Sequence, residues 1–155
     1  LRQWQPEIAQ ARARVFAPRP TFRLPGDVGK GTDAGKNRPS GVIVNFWLKE
    51  KPKADVPVTI EFLDGSTILR TVSSVATPGD DDLKEKGDED EDEEKPIEPV
   101  AGVNRFVWDL RQTVTSLVVP RYTYGDFPPQ GIRITPGRYT VKLSVGQDRV
   151  EAAFD

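Results

Sequence analysis

The side chains that could carry chemistry in this sequence are carboxylates, amines and hydroxyls, because it contains no His and no Cys. Their absence excludes Ser-His and Cys-His catalysis, zinc sites built on these residues, and disulfide bonds. Asp109 lies in the aromatic motif GVNRFVWDLRQ, residues 102–112. A carboxylate mechanism needs a second acid at a defined separation in a cleft, and the pattern pairs Asp109 with none. We therefore expect no catalytic residue.

An acidic run stands out within the charge distribution. Residues 80–95, DDDLKEKGDEDEDEEK, hold 11 of the 24 acidic residues and 3 of the 22 basic ones, which leaves 19 basic against 13 acidic elsewhere, a balance of +6. Like charges repel and bury little apolar surface, which predicts a disordered insertion at about 79–97. The run lacks the spaced ligands, central Gly and distal Glu of an EF-hand, so we assign neither a metal nor a cofactor.

Aromatic residues provide a second type of candidate site, a platform on which sugar rings stack. The candidates are Trp47, Tyr122, Tyr124 and Phe127. The basic residues are scattered and do not form a stripe interleaved with aromatics, so we expect no nucleic-acid partner. No apolar run reaches the ~20 residues of a membrane span, and no signal peptide is recognisable, so we expect no membrane partner either.

The N-terminal segment has apolar residues at steps of three and four, the spacing of one helical face. They are Leu1, Trp4, Ile8, Ala11 and Val15. This spacing predicts a helical arm from about Pro6 to Arg14, with the proline in its first turn. The prolines of residues 16–25 then predict an extended strap, and the Gly-rich stretch after it a flexible linker. Residues 1–40 are therefore expected to form an arm and linker ahead of the main domain.

From residue 41 the apolar period changes to two, which is typical of strands with one buried face. The residues predicted to point inward are Val42, Val44, Phe46, Leu48, Val58, Ile60, Phe62, Asn104, Phe106, Trp108, Leu110, Tyr139, Val141, Leu143, Val145, Val150, Ala152 and Phe154. Asp64 and Gly65 form a predicted hairpin turn. Six or so short strands without a further helix predict an all-β protein, an immunoglobulin-like or fibronectin-III-like antiparallel β-sandwich over residues 41–155.

Four stretches of the sequence follow one another in a recognisable order. They are residues 15–20, residues 41–74 beginning GVIVNFWLKE, residues 102–111 (GVNRFVWDLR) and residues 135–146 (TPGRYTVKLSVG). In this order they resemble the C-terminal region of large bacterial proteins with sortilin-like, VPS10-type β-propellers, often labelled BNR-repeat or glycosyl-hydrolase-like. The last two stretches are also similar to the immunoglobulin-like domain of the flagellar hook-capping family, in which a Trp-Asp strand precedes a Pro-Gly-x-Tyr strand.

The resemblance implies a secreted or periplasmic protein whose β-propeller precedes residue 1. The absence of Met, with Leu at position 1, also leads us to expect a piece of a longer chain. The glycosyl-hydrolase label attaches to the propeller, whose Asp-box repeats do not occur here. The domain is therefore expected to be a non-catalytic accessory or interaction domain that packs on or spaces the propeller. The N-terminal apolar stripe is a candidate surface for docking on the propeller, although the sandwich itself could also cover it; we expect the arm to dock on the sandwich and to leave Trp4 for the propeller.

Two alternatives remain open at this stage. A carbohydrate-binding module would use the four candidate stacking aromatics, with a glycan as its ligand instead of a protein surface. A hydrolase is the second alternative, and it lacks any motif of paired acids.

Overall fold

The computed structural model describes residues 3–22, 39–75, 97–113 and 131–155. Within them, a 3-10 helix at Pro6–Gln10 is followed by seven strands. The strands are β1 (Ala13–Phe16), β2 (Val42–Leu48), β3 (Val58–Asp64), β4 (Thr67–Ser73), β5 (Gly102–Trp108), β6 (Tyr139–Val145) and β7 (Asp148–Phe154). The predicted acidic insertion lies outside the described residues, except that Ile97 at its end is described and is buried.

The strands form two sheets that share one core. One sheet has the order β1-β2-β5 and the other the order β4-β3-β6-β7. Every pair of neighbouring strands is antiparallel. Three strands facing four, with the chain crossing between the sheets after β2, β4 and β5, is the order of a fibronectin-III-like immunoglobulin sandwich. The prediction of an all-β, immunoglobulin-like fold is confirmed.

The core consists of the side chains that the strand alternation points inward. Strands β2 and β3 bury every second residue, and Trp108, Phe46 and Phe62 are the largest of the fully buried side chains. The Trp108 ring stacks on Phe62 with 4.1 Å between ring centroids, and its indole N–H donates to the Arg111 carbonyl oxygen at 2.8 Å. A fully buried side chain of this kind stabilises the fold by about 1.5–3 kcal/mol. Trp108 therefore belongs to the scaffold.

The N-terminal arm does not form the predicted helix from Pro6 to Arg14. Only Pro6–Gln10 is helical, as a 3-10 helix, and the chain then becomes strand β1, which pairs with β2. A short helix has little stability of its own, whereas β2 offers a row of hydrogen-bonding partners to a neighbouring strand. Val15 and Phe16, as β-branched and aromatic residues, suit that strand. Strand β1 is thus an edge strand of the sandwich, although it lies within residues 1–40.

Tyr139, at the start of β6, forms a tyrosine corner. Its hydroxyl donates to the carbonyl oxygen of Thr135, four residues upstream, across the turn that contains Pro136 and Gly137. Its buried ring packs near Phe154, with 6.0 Å between ring centroids. Such a hydrogen bond at the entry to a strand is a hallmark of immunoglobulin-like sandwiches.

We expect Tyr139→Phe to lower the free energy of unfolding by about 1–2 kcal/mol, because the Thr135 carbonyl loses its donor while the ring stays packed. Urea denaturation monitored by tryptophan fluorescence measures this loss. Thr135→Ala is the control, since it keeps the accepting carbonyl and should change stability by less than about 0.5 kcal/mol. A larger loss for Thr135→Ala than for Tyr139→Phe would show that the tyrosine depends on the threonine side chain instead.

Candidate functional site

The two outer faces of the sandwich differ in chemistry. The outer face of the four-stranded sheet is mainly polar, with Glu61 on β3, Thr71 on β4 and Lys142 on β6 among its side chains. At its β3–β4 end it also carries Leu63 opposite Ile68, which is 52% exposed. The Lys142 ammonium lies 2.7 Å from the Glu61 carboxylate. Across from Lys142 on β7 is a second carboxylate, that of Glu151. This face is therefore an ordinary solvated surface with internally matched charges.

The outer face of the three-stranded sheet is largely apolar. Two apolar cross-strand pairs of β2 and β5 lie on it, Ile43 opposite Val107 and Trp47 opposite Val103, with the polar pair Asn45 and Arg105 between them. Val103 is 43% exposed, and the other three apolar residues are half-buried. We call these four apolar residues, together with Trp4 of the N-terminal arm, the apolar face. An exposed apolar patch of this kind is typical of an interaction surface.

Three aromatic side chains cluster at the β1 side of the apolar face. The Trp4 ring meets Trp47 edge-on, with 5.1 Å between ring centroids, and lies 6.4 Å from the ring of Phe16. Phe16 is buried, yet it is not part of the main core between the sheets. The Trp47 indole N–H donates to the Ala11 carbonyl oxygen at 3.2 Å. Trp47 is thus a support for the arm, and Trp4, 39% exposed, is the outermost ring of the cluster.

Hydrogen bonds hold the arm on this face. The side-chain amide of Gln3 donates to the Ala17 carbonyl oxygen at 2.9 Å and accepts from the Ala17 N–H at 3.0 Å. After the 3-10 helix the chain joins the sheet, where the Lys49 N–H donates to the Arg12 carbonyl oxygen at 2.9 Å. The arm therefore folds back along β1, which explains how Trp4 comes to rest beside Trp47.

The residues of the predicted docking stripe separate in the structure. Val15 points into the main core, and Ile8 is buried. Ala11 is half-buried, and its carbonyl accepts the Trp47 hydrogen bond. Trp4 is the member that remains substantially exposed among the described residues. Leu1 lies outside the described residues.

The predicted sugar platform has one described member. Trp47 is half-buried and is contacted edge-on by Trp4, so its ring is not a free platform. Tyr122, Tyr124 and Phe127 lie outside the described residues.

The sequence pattern indicated part of the apolar face. The alternation of β5 had already placed Val103 and Val107 on the outward face. Phe16 was assigned to the strap instead of a strand, so the sequence pattern did not connect it with Trp47.

Asp109 makes local contacts. Its carboxylate accepts from the Arg111 backbone N–H at 3.0 Å and lies 3.2 Å from the Arg111 guanidinium. Within the described parts of the chain, no group of three or more carboxylates is placed to hold a metal ion. A cavity of about 70 Å³ lies near the start of β6, and its lining is mostly apolar, with Val42, Leu110 and Phe154 among its residues. The group that Asp109 contacts is an arginine, which stays protonated and does not serve as a general base.

A search of the described residues for membrane-spanning helices finds none that is long and apolar enough to cross a bilayer. Comparison of the chain with protein-family models, with curated proteins and with solved structures gives no match.

Proposed function

We propose that the chain is a non-catalytic, immunoglobulin-like accessory domain of a larger secreted or periplasmic protein, and that its apolar face packs on a neighbouring domain of the same polypeptide. The observation that supports this is the contrast between the two outer faces. One is polar except for Ile68 at its β3–β4 end, and the other carries Trp4 and Val103, at 39% and 43% exposure, beside Ile43, Trp47 and Val107. Following the sequence resemblance, the neighbour is a sortilin-like β-propeller.

The size of the apolar face favours a tethered partner. Strands β2 and β5 have seven residues, β1 has four, and strands rise about 3.3 Å per residue with a spacing of about 4.8 Å, so the outer face of this sheet covers at most roughly 23 by 14 Å, or about 300 Å². A stable complex between separate proteins buries about 800 Å² on each partner. A covalent linkage raises the effective concentration of a neighbouring domain to the millimolar range, at which a contact this small is populated. An interdomain contact is therefore the natural use of the face.

The two alternative functions receive less support. A carbohydrate-binding module needs an aromatic ring whose flat face is open, whereas Trp47 is contacted by Trp4 and hydrogen-bonded to the arm. A hydrolase needs an acid or nucleophile in a cleft, and the Asp109 carboxylate is paired with Arg111 at the surface.

Hydroxyl-radical footprinting of Trp4 tests the proposal. The 155-residue chain is compared with the same chain extended by the sequence that its gene encodes upstream. If docking buries Trp4 to the ~10% exposure of an interface core, its oxidation rate should fall about fourfold, while the fully buried Trp108 serves as an internal reference. A gene that encodes no upstream domain, or equal Trp4 oxidation in both proteins, would contradict the proposal.

Two matched substitutions locate the contact. Val103→Gln in the extended protein should restore Trp4 oxidation, because the polar amide resists burial in an apolar contact. Thr71→Gln is the control, since Thr71 is similar in size, exposed and on the outer face of the other sheet. Loss of protection with both variants would place the contact elsewhere. Glycan-array binding that Trp4→Ala abolishes would favour the carbohydrate-binding alternative.

A further inference from the structure

The sheet that carries the apolar face has an unbalanced charge. Its three strands contain two arginines, Arg14 on β1 and Arg105 on β5, and no acidic residue. Both side chains are exposed. In register they lie opposite Trp47 and Asn45, which are outward residues of the central strand β2. Both guanidinium groups therefore project from the same surface as the apolar face.

Neither arginine has a carboxylate partner among the described residues. Arg105 donates from Nε to the Asn45 side-chain oxygen at 3.3 Å, and Arg14 takes part in none of the ion pairs found there. The described carboxylates that do pair with basic groups are Glu61, Asp109 and Asp148. The cations beside the apolar face are thus available to an external partner.

The two arginines lie on the two outer strands of this sheet. Their strands flank β2, so they are separated by two strand spacings and by two residues along the strand direction. With spacings of about 4.8 Å and a rise of about 3.3 Å per residue, their Cα atoms are roughly 12 Å apart. The face therefore combines apolar side chains with two cations, Arg105 between Val103 and Val107 and Arg14 beside Trp47.

We infer that the surface that docks here is a protein surface that combines apolar side chains with two carboxylates about 12 Å apart, one for each of Arg14 and Arg105. The inference rests on the proposed function and specifies the chemistry of the partner. Arg matches a carboxylate with two parallel hydrogen bonds, and it is enriched where protein interfaces combine apolar contact with charge. Charge complementarity then sets the orientation in which the neighbouring domain docks.

Two other occupants fit the observations less well. A second copy of this chain in a two-fold arrangement would place an arginine-bearing face against itself, with like charges in contact. An acidic polysaccharide would satisfy the arginines but not the aliphatic side chains of Ile43, Val103 and Val107, which carry no flat ring for a sugar to stack on. A protein surface satisfies both requirements.

Charge reversal in the extended protein tests the inference, with Trp4 footprinting as the readout. The double variant Arg14→Glu with Arg105→Glu should lose the protection of Trp4. Arg138→Glu with Arg149→Glu is the matched control and should keep it, because both arginines are exposed, Arg149 on β7 and Arg138 immediately before β6 of the other sheet. Protection in the unsubstituted protein should also weaken when salt is raised from about 0.02 M to about 0.5 M, because exposed ion pairs are screened.

The outcomes separate the inference from the proposed function. If Val103→Gln removes protection while the Arg14 and Arg105 reversal keeps it, docking stands and the acidic partner is overturned. If the extended protein shows no protection at all, the proposed function fails and the inference fails with it. Two other results would also overturn the inference. One is self-association of the 155-residue chain through Val103, measured by sedimentation. The other is binding to soluble polygalacturonate that the double reversal abolishes.

One further variant tests whether the acidic run of this chain, instead of a partner domain, supplies the carboxylates that pair with Arg14 and Arg105. Replacing residues 79–95 with a Gly-Ser linker in the extended protein should leave the Trp4 protection and its salt dependence unchanged. Loss of both would identify the acidic run of this chain as the counterpart of the arginines, and the inference of an acidic partner domain would be wrong.

Discussion

Trp108→Ala is expected to lower the free energy of unfolding by about 3–5 kcal/mol, the usual cost of removing a large aromatic side chain from a core. Trp108 is fully buried and stacked on Phe62, so its loss leaves a cavity between the two sheets. It also leaves the Arg111 carbonyl without the indole donor. Urea denaturation followed by circular dichroism measures the loss without depending on the removed fluorophore.

Two further variants show whether the loss of stability in Trp108→Ala comes from the buried ring. Trp108→Phe keeps most of the ring volume but not the indole N–H, so it should cost less than the alanine variant and still fold. Asp109→Asn keeps a side-chain oxygen that can accept from the Arg111 N–H, and it should cost less than about 1 kcal/mol, as is usual for an exposed ion pair. A larger loss for Asp109→Asn than for Trp108→Ala would contradict the assignment of Trp108 to the core.

The strand faces follow from the sequence because each of these strands buries one side. The period of two in β2, β3 and β6 places Val44, Phe62 and Val141 inward, and all three are fully buried in the structure. Asn104 was also predicted to point inward. It is tolerated there because its side-chain amide bonds to the Val100 N–H and carbonyl, each at 2.8 Å. Local pattern therefore determines which way a side chain points once a strand exists.

Strand β4 shows where the pattern stops being sufficient. The period of two places Ile68, Arg70 and Val72 on one face of this strand, and it leaves open whether that face or the other one points to the core. In the structure Val72 is buried and Ile68 is 52% exposed, because the register with β3 shifts between Phe62 and Leu63. A bulge adds one residue to one strand and exchanges the faces beyond it. Its position depends on the pairing with the neighbouring strand, which the β4 sequence alone does not contain.

The apolar face could be predicted only in part, for a similar reason. The alternation of β5 places Val103 and Val107 outward, but outward apolar residues are also common on strands that contact nothing. What distinguishes this face is the return of the arm, which brings Trp4 beside Trp47 and buries Phe16. That contact depends on β1 pairing with β2, which overrides a helical spacing of apolar residues in the sequence. A tertiary contact of this kind has no local sequence signal.

Gly41→Ala is expected to destabilise the protein by at least about 3 kcal/mol, because it combines backbone strain with a steric clash. Gly41 precedes β2 and has a φ of +122°, which side-chain-bearing residues rarely adopt. A Cβ atom at this position would lie 2.1 Å from the Trp108 carbonyl oxygen, a backbone atom that cannot rotate away. Because Val42 pairs with Trp108, relieving the clash would separate β2 from β5 at the end where the core Trp108 is held.

Gly65→Ala separates the backbone strain from the steric clash. Gly65, in the β3–β4 turn, also has a positive φ, +57°, but a Cβ atom there would meet nothing within 4 Å. It should therefore show only the strain of the left-handed conformation, about 1–2 kcal/mol. Urea midpoints of the two variants measure the difference, which is the cost of the clash with Trp108. Equal losses would mean that β2 and β5 can move apart at this end without disturbing the core, and that the close approach of Gly41 to Trp108 does not hold the two strands in register.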